Sequence, residues 1–119
     1  MDAPVQPASS WPSSGVPARF RVEITPSAEA NIAEIWDYIA QDSPANAKTF
    51  VLALAEQIAS LEKFPRRCPR IPENEILGTS YHHLIYGPYR TIFRIAGSRV
   101  IILRVIHSSR LLDTSFFTP

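Results

Sequence analysis

The second half of the chain restricts the fold most, because it contains three apolar, β-rich runs separated by gaps of only two residues. The runs and gaps are, in order, 81–86, Gly87-Pro88, 89–96, Gly97-Ser98 and 99–107. Short gaps that contain glycine between such runs are typical of β-hairpins. We therefore expect three consecutive antiparallel strands, with Gly97-Ser98 the better hairpin signal, because proline makes the turn type at Gly87-Pro88 less certain.

The first half of the chain predicts one strand followed by two helices. Residues 19–25 alternate between apolar and polar side chains, which is the pattern of a strand. Thr25-Pro26 and Ser43-Pro44 each combine a hydroxyl N-cap with a proline at the first helical position, so a helix should begin at each. The second apolar stripe ends at Phe64-Pro65. Two helices with so short a link should form an antiparallel hairpin.

These elements predict an α+β domain with the order β-α-α-β-β-β. The helical hairpin should pack on one face of a small, mainly antiparallel sheet. Residues 65–80 contain several proline and glycine breakers and should be irregular. Residues 1–18 are rich in proline and serine and should form a disordered tail, which leaves 19–119 as the folded domain.

Several classes of protein are excluded by what the sequence lacks. The single cysteine, Cys68, excludes an internal disulfide, and no apolar run approaches the roughly 18 residues that span a bilayer. The N-terminus has no secretory signal pattern, so we expect a cytoplasmic protein without membrane contact. The four glycines are scattered, and His82 and His83 lie on alternate strand faces, so we expect no cofactor and no metal site.

The charges are divided unevenly between the two halves. Residues 1–62 carry three cations and eight carboxylates, whereas residues 63–119 carry nine cations and three carboxylates. The net charges of these two segments are therefore −5 and +6. Eight of the nine cations are arginine, which suits phosphate or carboxylate recognition. A polyanion or an acidic protein is one partner that fits this half, and a solvated basic face without a partner is an equally good interpretation.

The expected hairpin turns assign side chains to the two faces of the sheet. If Gly97-Ser98 is the whole turn, Arg94 pairs with Ile101, Ile92 with Leu103 and Arg90 with Val105, and His107 shares their face. The other face is more apolar and should contact the helices. A slip of one residue at either turn would separate the polar set. The predicted helix-free face carries Tyr81, His83, Arg90, Arg94 and His107.

Arginine and histidine on one face suit a phosphodiester substrate. Arginine neutralises the non-bridging oxygens, and histidine transfers a proton near neutral pH. RNA supplies its own nucleophile, the 2′-hydroxyl, so cleavage would need no metal. The alternative is that these arginines only solubilise and protect the open sheet, and that each histidine is a structural residue.

Two sequence segments resemble the RelE/ParE superfamily of bacterial toxins. One is the run Tyr-Arg-Thr-Ile-Phe-Arg-Ile at 89–95, and the other is the apolar run 100–110 that ends in His-Ser-Ser-Arg. The strand 20–24, the segment Trp-Asp-Tyr-Ile at 36–39 and the helix end at 61–65 are also similar. The resemblance covers about residues 19–113. It implies a toxin of a type II toxin–antitoxin or plasmid-stabilisation pair, held inactive in a hetero-oligomer with a small antitoxin.

The superfamily contains two mechanisms, and the resemblance favours one of them. RelE-like members cut mRNA on the ribosome with lysines and arginine on the open sheet face and a C-terminal tyrosine, whereas ParE-like members poison DNA gyrase by protein–protein contact. Here Arg90 and Arg110 match the family arginines, but Tyr81 and His83 replace the lysines and Phe116 replaces the tyrosine. The chain is therefore closer to ParE-like toxins.

Each mechanism assigns roles to the same residues. In the ParE-like interpretation, Tyr81, Arg90, Arg94 and Arg110 form a binding surface for the target or the antitoxin. In the RelE-like alternative, Arg90 and Arg110 clamp the scissile phosphate and His83 or His107 transfers a proton. A third interpretation is an unrelated small binding or regulatory domain, whose expression would be harmless.

Overall fold

The computed structural model describes residues 19–111 of the chain. The tail predicted for residues 1–18 lies outside the described residues, and so does Phe116. Among the residues that are described, no helix is long and apolar enough to cross a membrane.

The structure is a layer of two helices on a four-stranded sheet. The strand order is β1-β4-β3-β2, with β1 parallel to β4 and the other neighbours antiparallel. This architecture confirms the predicted α+β class and the helical hairpin. The elements are β1 Arg21–Ile24, α1 Pro26–Ala40, α2 Pro44–Ala59, α3 Asn74–Leu77, β2 His82–Tyr86, β3 Tyr89–Ala96 and β4 Arg99–His107.

Both long helices begin where the sequence predicts. The hydroxyl of Thr25 accepts a hydrogen bond from the Ala28 amide at 3.2 Å, and the hydroxyl of Ser43 accepts one from the Asn46 amide at 3.1 Å. Each cap is followed by proline, which needs no amide partner in the first turn. Helix α2 ends at Ala59, earlier than the expected Phe64, because a 3₁₀ turn over Ser60–Glu62 replaces its last turn.

The main core lies between the helices and the sheet. Phe93, Val100 and Ile102 are inaccessible to solvent and face the hairpin, as the alternation of β3 and β4 predicts. From the helices, the buried partners in this cluster are Ala28, Ile35, Leu54 and Ile58. Burying so many aliphatic side chains in one layer is the main stabilising contribution to the fold.

Both hairpin turns have two residues, but the pairing of β3 with β4 contains a β-bulge. Ala96 pairs with Arg99 as expected, and Phe93 pairs with Ile102, whereas Ile92 pairs with Arg104. Leu103 is therefore an extra residue on β4, and beyond it every side chain of β4 lies on the opposite face from that expected. The predicted pairs of Ile92 with Leu103 and Arg90 with Val105 are wrong.

The face opposite the helices is partly covered, not open as predicted. The segment between α2 and β2 crosses it, and Ile71 from this segment packs on Ile92 and Ile106. An isolated bridge between Arg70 and His82 attaches the same segment to the edge of β2. The sheet therefore has a second, smaller apolar cluster, which includes the half-buried Tyr81.

Candidate functional site

Arg90 of β3 is buried under the segment that crosses the sheet. Only 4% of its surface is exposed. Its Nη1 donates to Glu73 Oε1 at 3.1 Å, and its Nη2 donates to Glu73 Oε2 in a second, short hydrogen bond. Nη2 also donates to the backbone carbonyl of Arg110 at 2.7 Å. The guanidinium therefore connects β3, the segment before α3 and the chain after β4.

The Arg90–Glu73 pair is an internal salt bridge with both partners nearly inaccessible. Glu73 is 6% exposed, and its carboxylate takes the bidentate arrangement that a guanidinium prefers. Removing a carboxylate from water is costly unless its charge is compensated, so the two side chains depend on each other. In this arrangement Arg90 neutralises Glu73, and it could bind a phosphate only if that pair first separated.

His83 lies beside this pair on β2. Its Nδ1 is 3.3 Å from Arg90 Nη1. Because a guanidinium can only donate, Nδ1 accepts, and the ring is neutral with its proton on Nε2. Burial and then the positive charge of Arg90 lower the pKa of His83 below its ordinary value. In this state neither ring nitrogen has a free lone pair with which to act as a general base.

His107 lies on the opposite side of the sheet, which corrects the prediction that it shares a face with Arg90. It pairs with Tyr89, and the two rings meet edge to face at 5.7 Å between centroids. Tyr89 in turn packs on Phe50 of α2, so this is the helix side. The bulge at Leu103 is the physical reason, because it reverses the alternation of β4 before His107.

Of the other predicted site residues, Tyr81 and Arg94 lie on the same helix-free face as Arg90, whereas Arg110 lies on the helix side. Arg94 is exposed on the helix-free face, and Tyr81 packs half-buried in the second apolar cluster. Arg110 lines a cavity of about 190 Å³ on the helix side, together with Tyr38, Tyr89 and His107. Burial and then Tyr38 raise the pKa of Tyr89 in that cavity. No group of three or more His, Cys, Asp or Glu side chains that could hold a metal ion occurs within residues 19–111.

Sequence reasoning missed Glu73, the partner of Arg90. It lies in a proline-rich segment without periodicity, so no local pattern places it near β3. Two carboxylates, Glu73 and Glu75, close to the arginines of that segment are the only signal that the sequence offers. The long separation of 17 residues explains why hydrophobic spacing does not reveal the contact.

A second feature that the sequence did not reveal is an apolar groove along β1. It has a volume of about 240 Å³ and a floor built from both helices. Arg21 and Thr25 bond to the Ser98 and Ile102 carbonyls of the β4 side, so the backbone groups of Val22 and Ile24 point outward by alternation. Within the described part of the chain no strand pairs with this edge. The lining residues are Val22, Ile24, Ile32, Ala55, Ile58 and Ala59.

Comparison with protein families identifies a match over most of the domain. The model of the ParE toxin of the type II toxin–antitoxin system parDE matches residues 22–112. No curated protein matches the chain.

Solved structures with the same fold include two toxin–antitoxin systems. The chromosomal ParDE system from P. aeruginosa matches with 22% identity and a TM-score of 0.61, over 76% of this chain and 98% of that one. The complex RelBE2 from Mycobacterium tuberculosis matches with 24% identity and a TM-score of 0.54, over 75% of this chain and 98% of that one. At these identities the likeness shows the fold alone.

Proposed function

Because the chain belongs to the ParE toxin family of type II toxin–antitoxin systems, we propose that it stops growth by poisoning DNA gyrase through protein–protein contact. The membership shows a type II toxin, and the choice of gyrase over the ribosome is the proposal. A cytoplasmic location follows from a target of this kind and is part of the same proposal.

One observation supports contact over catalysis: the groups that RNA cleavage would need are not assembled. Arg90 is paired with Glu73, and His83 accepts a hydrogen bond from it. His107 lies on the opposite face of the sheet from Arg90 and His83, where its ring contacts Tyr89. A general base must reach the proton that it removes, and a phosphate clamp must be free to bind. A toxin that acts by docking on its target needs neither condition.

The proposed target surface is the part of the helix-free face that remains exposed. Arg94 projects there from β3, and its neighbour Arg99 forms an exposed pair with Glu23 at 3.0 Å. The hydrogen bond from Arg99 lowers the pKa of Glu23, so the carboxylate stays charged. Exposed charges of this kind steer association and determine orientation more than they add affinity.

The proposed antitoxin site is the groove along β1. Its apolar floor suits one face of an amphipathic helix, and the outward edge of β1 suits an extended segment. Ile24 is 43% exposed at its rim, which is the exposure expected of an anchor position that a partner covers. The acidic outer face of α1 lies beside it, so the polar side of the antitoxin segment should be basic or neutral there.

Controlled expression of the full chain in bacteria tests the mechanism. We expect growth arrest with filamentation, an induced DNA-damage reporter and intact mRNA, and the purified protein should inhibit supercoiling by gyrase. Arg94→Glu should weaken the effect on gyrase at least about tenfold, which corresponds to about 1.4 kcal/mol. Lys48→Glu, a charge reversal on α2, is the matched control and should retain activity.

The alternatives give different results in the same experiment. Early cleavage of mRNA at ribosomes, with at least about tenfold less cleavage in His83→Ala, would replace gyrase poisoning with a RelE-like nuclease. Normal growth with soluble, folded protein would overturn the toxic activity itself.

A further inference from the structure

A second apolar groove lies where residues 64–67, which follow the 3₁₀ turn after α2, meet Phe20, the residue before β1. It has a volume of about 520 Å³, and its lining combines two aromatic rings, a proline and two arginines. A hydrogen bond from the Phe20 amide to the Glu62 carbonyl, at 2.8 Å, holds its two walls together. The lining residues are Phe20, Phe64, Pro65, Arg66 and Arg67.

Phe64 is held in a backbone conformation that favours glycine. Its φ is 52° and its ψ is 51°, and it directly precedes Pro65, which restricts it further. A bulky side chain at positive φ is strained, and such strain is found where function requires it. The ring is 59% exposed, so little burial within the domain compensates for the strain. The conformation presents an aromatic ring to solvent at the mouth of the groove.

The rim of the groove is positively charged. Its two lining arginines, Arg66 and Arg67, are both exposed, and the exposed Lys63 directly precedes Phe64 in the sequence. The nearest carboxylate in the sequence, Glu62, is paired with Arg19 at 3.0 Å.

Two of the arginines are held in place by neighbouring groups. Arg67 donates to the backbone carbonyls of Lys63 and Phe64 at 3.0 and 3.1 Å, which fixes its position. Arg66 lies over the Phe20 ring at 5.8 Å. The charge around the groove is therefore positioned in advance of binding.

We propose that this groove binds an extended segment of a partner protein in which one large apolar side chain lies between carboxylates. The apolar side chain packs on the exposed Phe64 ring, and the carboxylates contact Arg66 and Arg67. The charge of this groove and the strain at Phe64 favour such a partner whether or not the chain poisons gyrase.

Other occupants fit the groove less well. A nucleic acid would need several free ring faces, and the face of Phe20 is covered by Arg66. The chain's own residues 1–18 contain one carboxylate, Asp2, and so cannot place an apolar side chain between two carboxylates. A second copy would offer the exposed Trp36 and Tyr38 beside the carboxylates of α1, but on a helix and not as an extended segment.

Fluorescence anisotropy with the full chain tests the proposal. The probe is a short labelled peptide with one central tryptophan flanked by glutamates, and the control peptides replace either the tryptophan by alanine or the glutamates by lysine. Phe64→Gly removes the ring and suits the positive φ, so the variant should fold. Arg66→Glu reverses one rim charge. Leu52→Ala, which removes an exposed side chain from α2 outside the groove, is the matched control.

We expect saturable binding of the glutamate–tryptophan peptide, at least about tenfold weaker with Phe64→Gly, with Arg66→Glu and with either control peptide. Leu52→Ala should bind like the wild type. Absence of saturable binding, equal binding to Phe64→Gly, or preference for single-stranded RNA over the peptide would overturn the proposal. Peptide binding only after removal of residues 1–18, or competition by self-association, would replace the partner segment with the chain itself.

Discussion

Among single residues, Arg90 shows how one contact changes the meaning of a motif. In the sequence it is a family arginine on an open face, and in the structure its guanidinium has four internal contacts to three residues, Glu73, His83 and the Arg110 carbonyl. A local pattern could predict that Arg90 lies on the helix-free face, since that depends on strand alternation. The partner Glu73 could not be predicted, because it comes from an aperiodic segment whose path depends on packing.

The first prediction concerns the stability that this salt bridge provides. Arg90→Ala leaves the Glu73 carboxylate buried without its cation, and should lower the free energy of unfolding by about 3–5 kcal/mol. Arg94→Ala, an exposed arginine on the same strand, should change it by less than about 0.5 kcal/mol. Urea unfolding followed by circular dichroism measures both.

A double variant separates charge from packing at this site. Arg90→Met combined with Glu73→Leu removes both charges and retains most of the volume, so it should recover most of the loss. If Arg90→Ala were as mild as Arg94→Ala, the pair would be unimportant for folding and Arg90 could be assigned to a partner.

The second prediction is a pH dependence from His83. Its pKa in the folded state lies below the ordinary value, because burial and Arg90 disfavour the charged ring. As the pH falls through about 6.5, the unfolded chain therefore takes up this proton first, and stability decreases until the lower folded pKa is passed.

His83→Gln retains an acceptor for Arg90 and removes the titration. Urea unfolding at about pH 7.5 and about pH 5.5 should show a smaller loss for the variant than for the wild type; an equal loss would assign the proton to another group.

Among secondary-structure elements, the local signals were readable and the non-local ones were not. Thr25 and Ser43 predicted both helix starts, because a cap and a following proline act within one turn. The bulge at Leu103 left no such signal, because the strand remains apolar on both faces and either register buries aliphatic side chains. The placement of His107 failed for this reason alone.

Strand β4 extends beyond the end of β1, so its backbone groups there need another hydrogen-bond partner. There the Asn31 side chain of α1 takes the place of a strand, and its Oδ1 accepts from the Val105 amide at 3.0 Å. Asn31→Ala leaves the amide of Val105 unpaired, and Val105 is only 2% exposed. The variant should therefore lower the free energy of unfolding by about 1–3 kcal/mol. Asn31→Asp retains the acceptor and is the matched control. Amide hydrogen exchange at Val105 should accelerate in Asn31→Ala and much less in Asn31→Asp; unchanged exchange would mean that water replaces the side chain.

At the scale of the whole molecule, the charges divide by layer. The residues from α1 to α2 carry five carboxylates and one lysine, whereas the residues from 60 to 111 carry nine cations and three carboxylates. The imbalance between the halves of the sequence therefore becomes an imbalance between the helical layer and the sheet with its crossing segment. A molecule with opposite charge on two sides can bind partners of different chemistry at the same time.

The fourth prediction follows from this separation: neutralisation and toxicity should be separable by mutation. The β1 groove and the exposed Arg94 lie on opposite faces of the sheet, so a change at one should leave the other intact. Ile24→Glu places a charge at the rim of the groove, where the side chain is already 43% exposed, and the domain should still fold. The variant should remain toxic but bind its cognate antitoxin at least about tenfold more weakly, or about 1.4 kcal/mol, by calorimetry.

Co-expressed antitoxin should rescue Ile24→Val, which retains the apolar rim, and fail to rescue Ile24→Glu. Equal rescue of the two variants would move the antitoxin site away from β1, and loss of toxicity in Ile24→Glu with intact folding would mean that target and antitoxin share this groove.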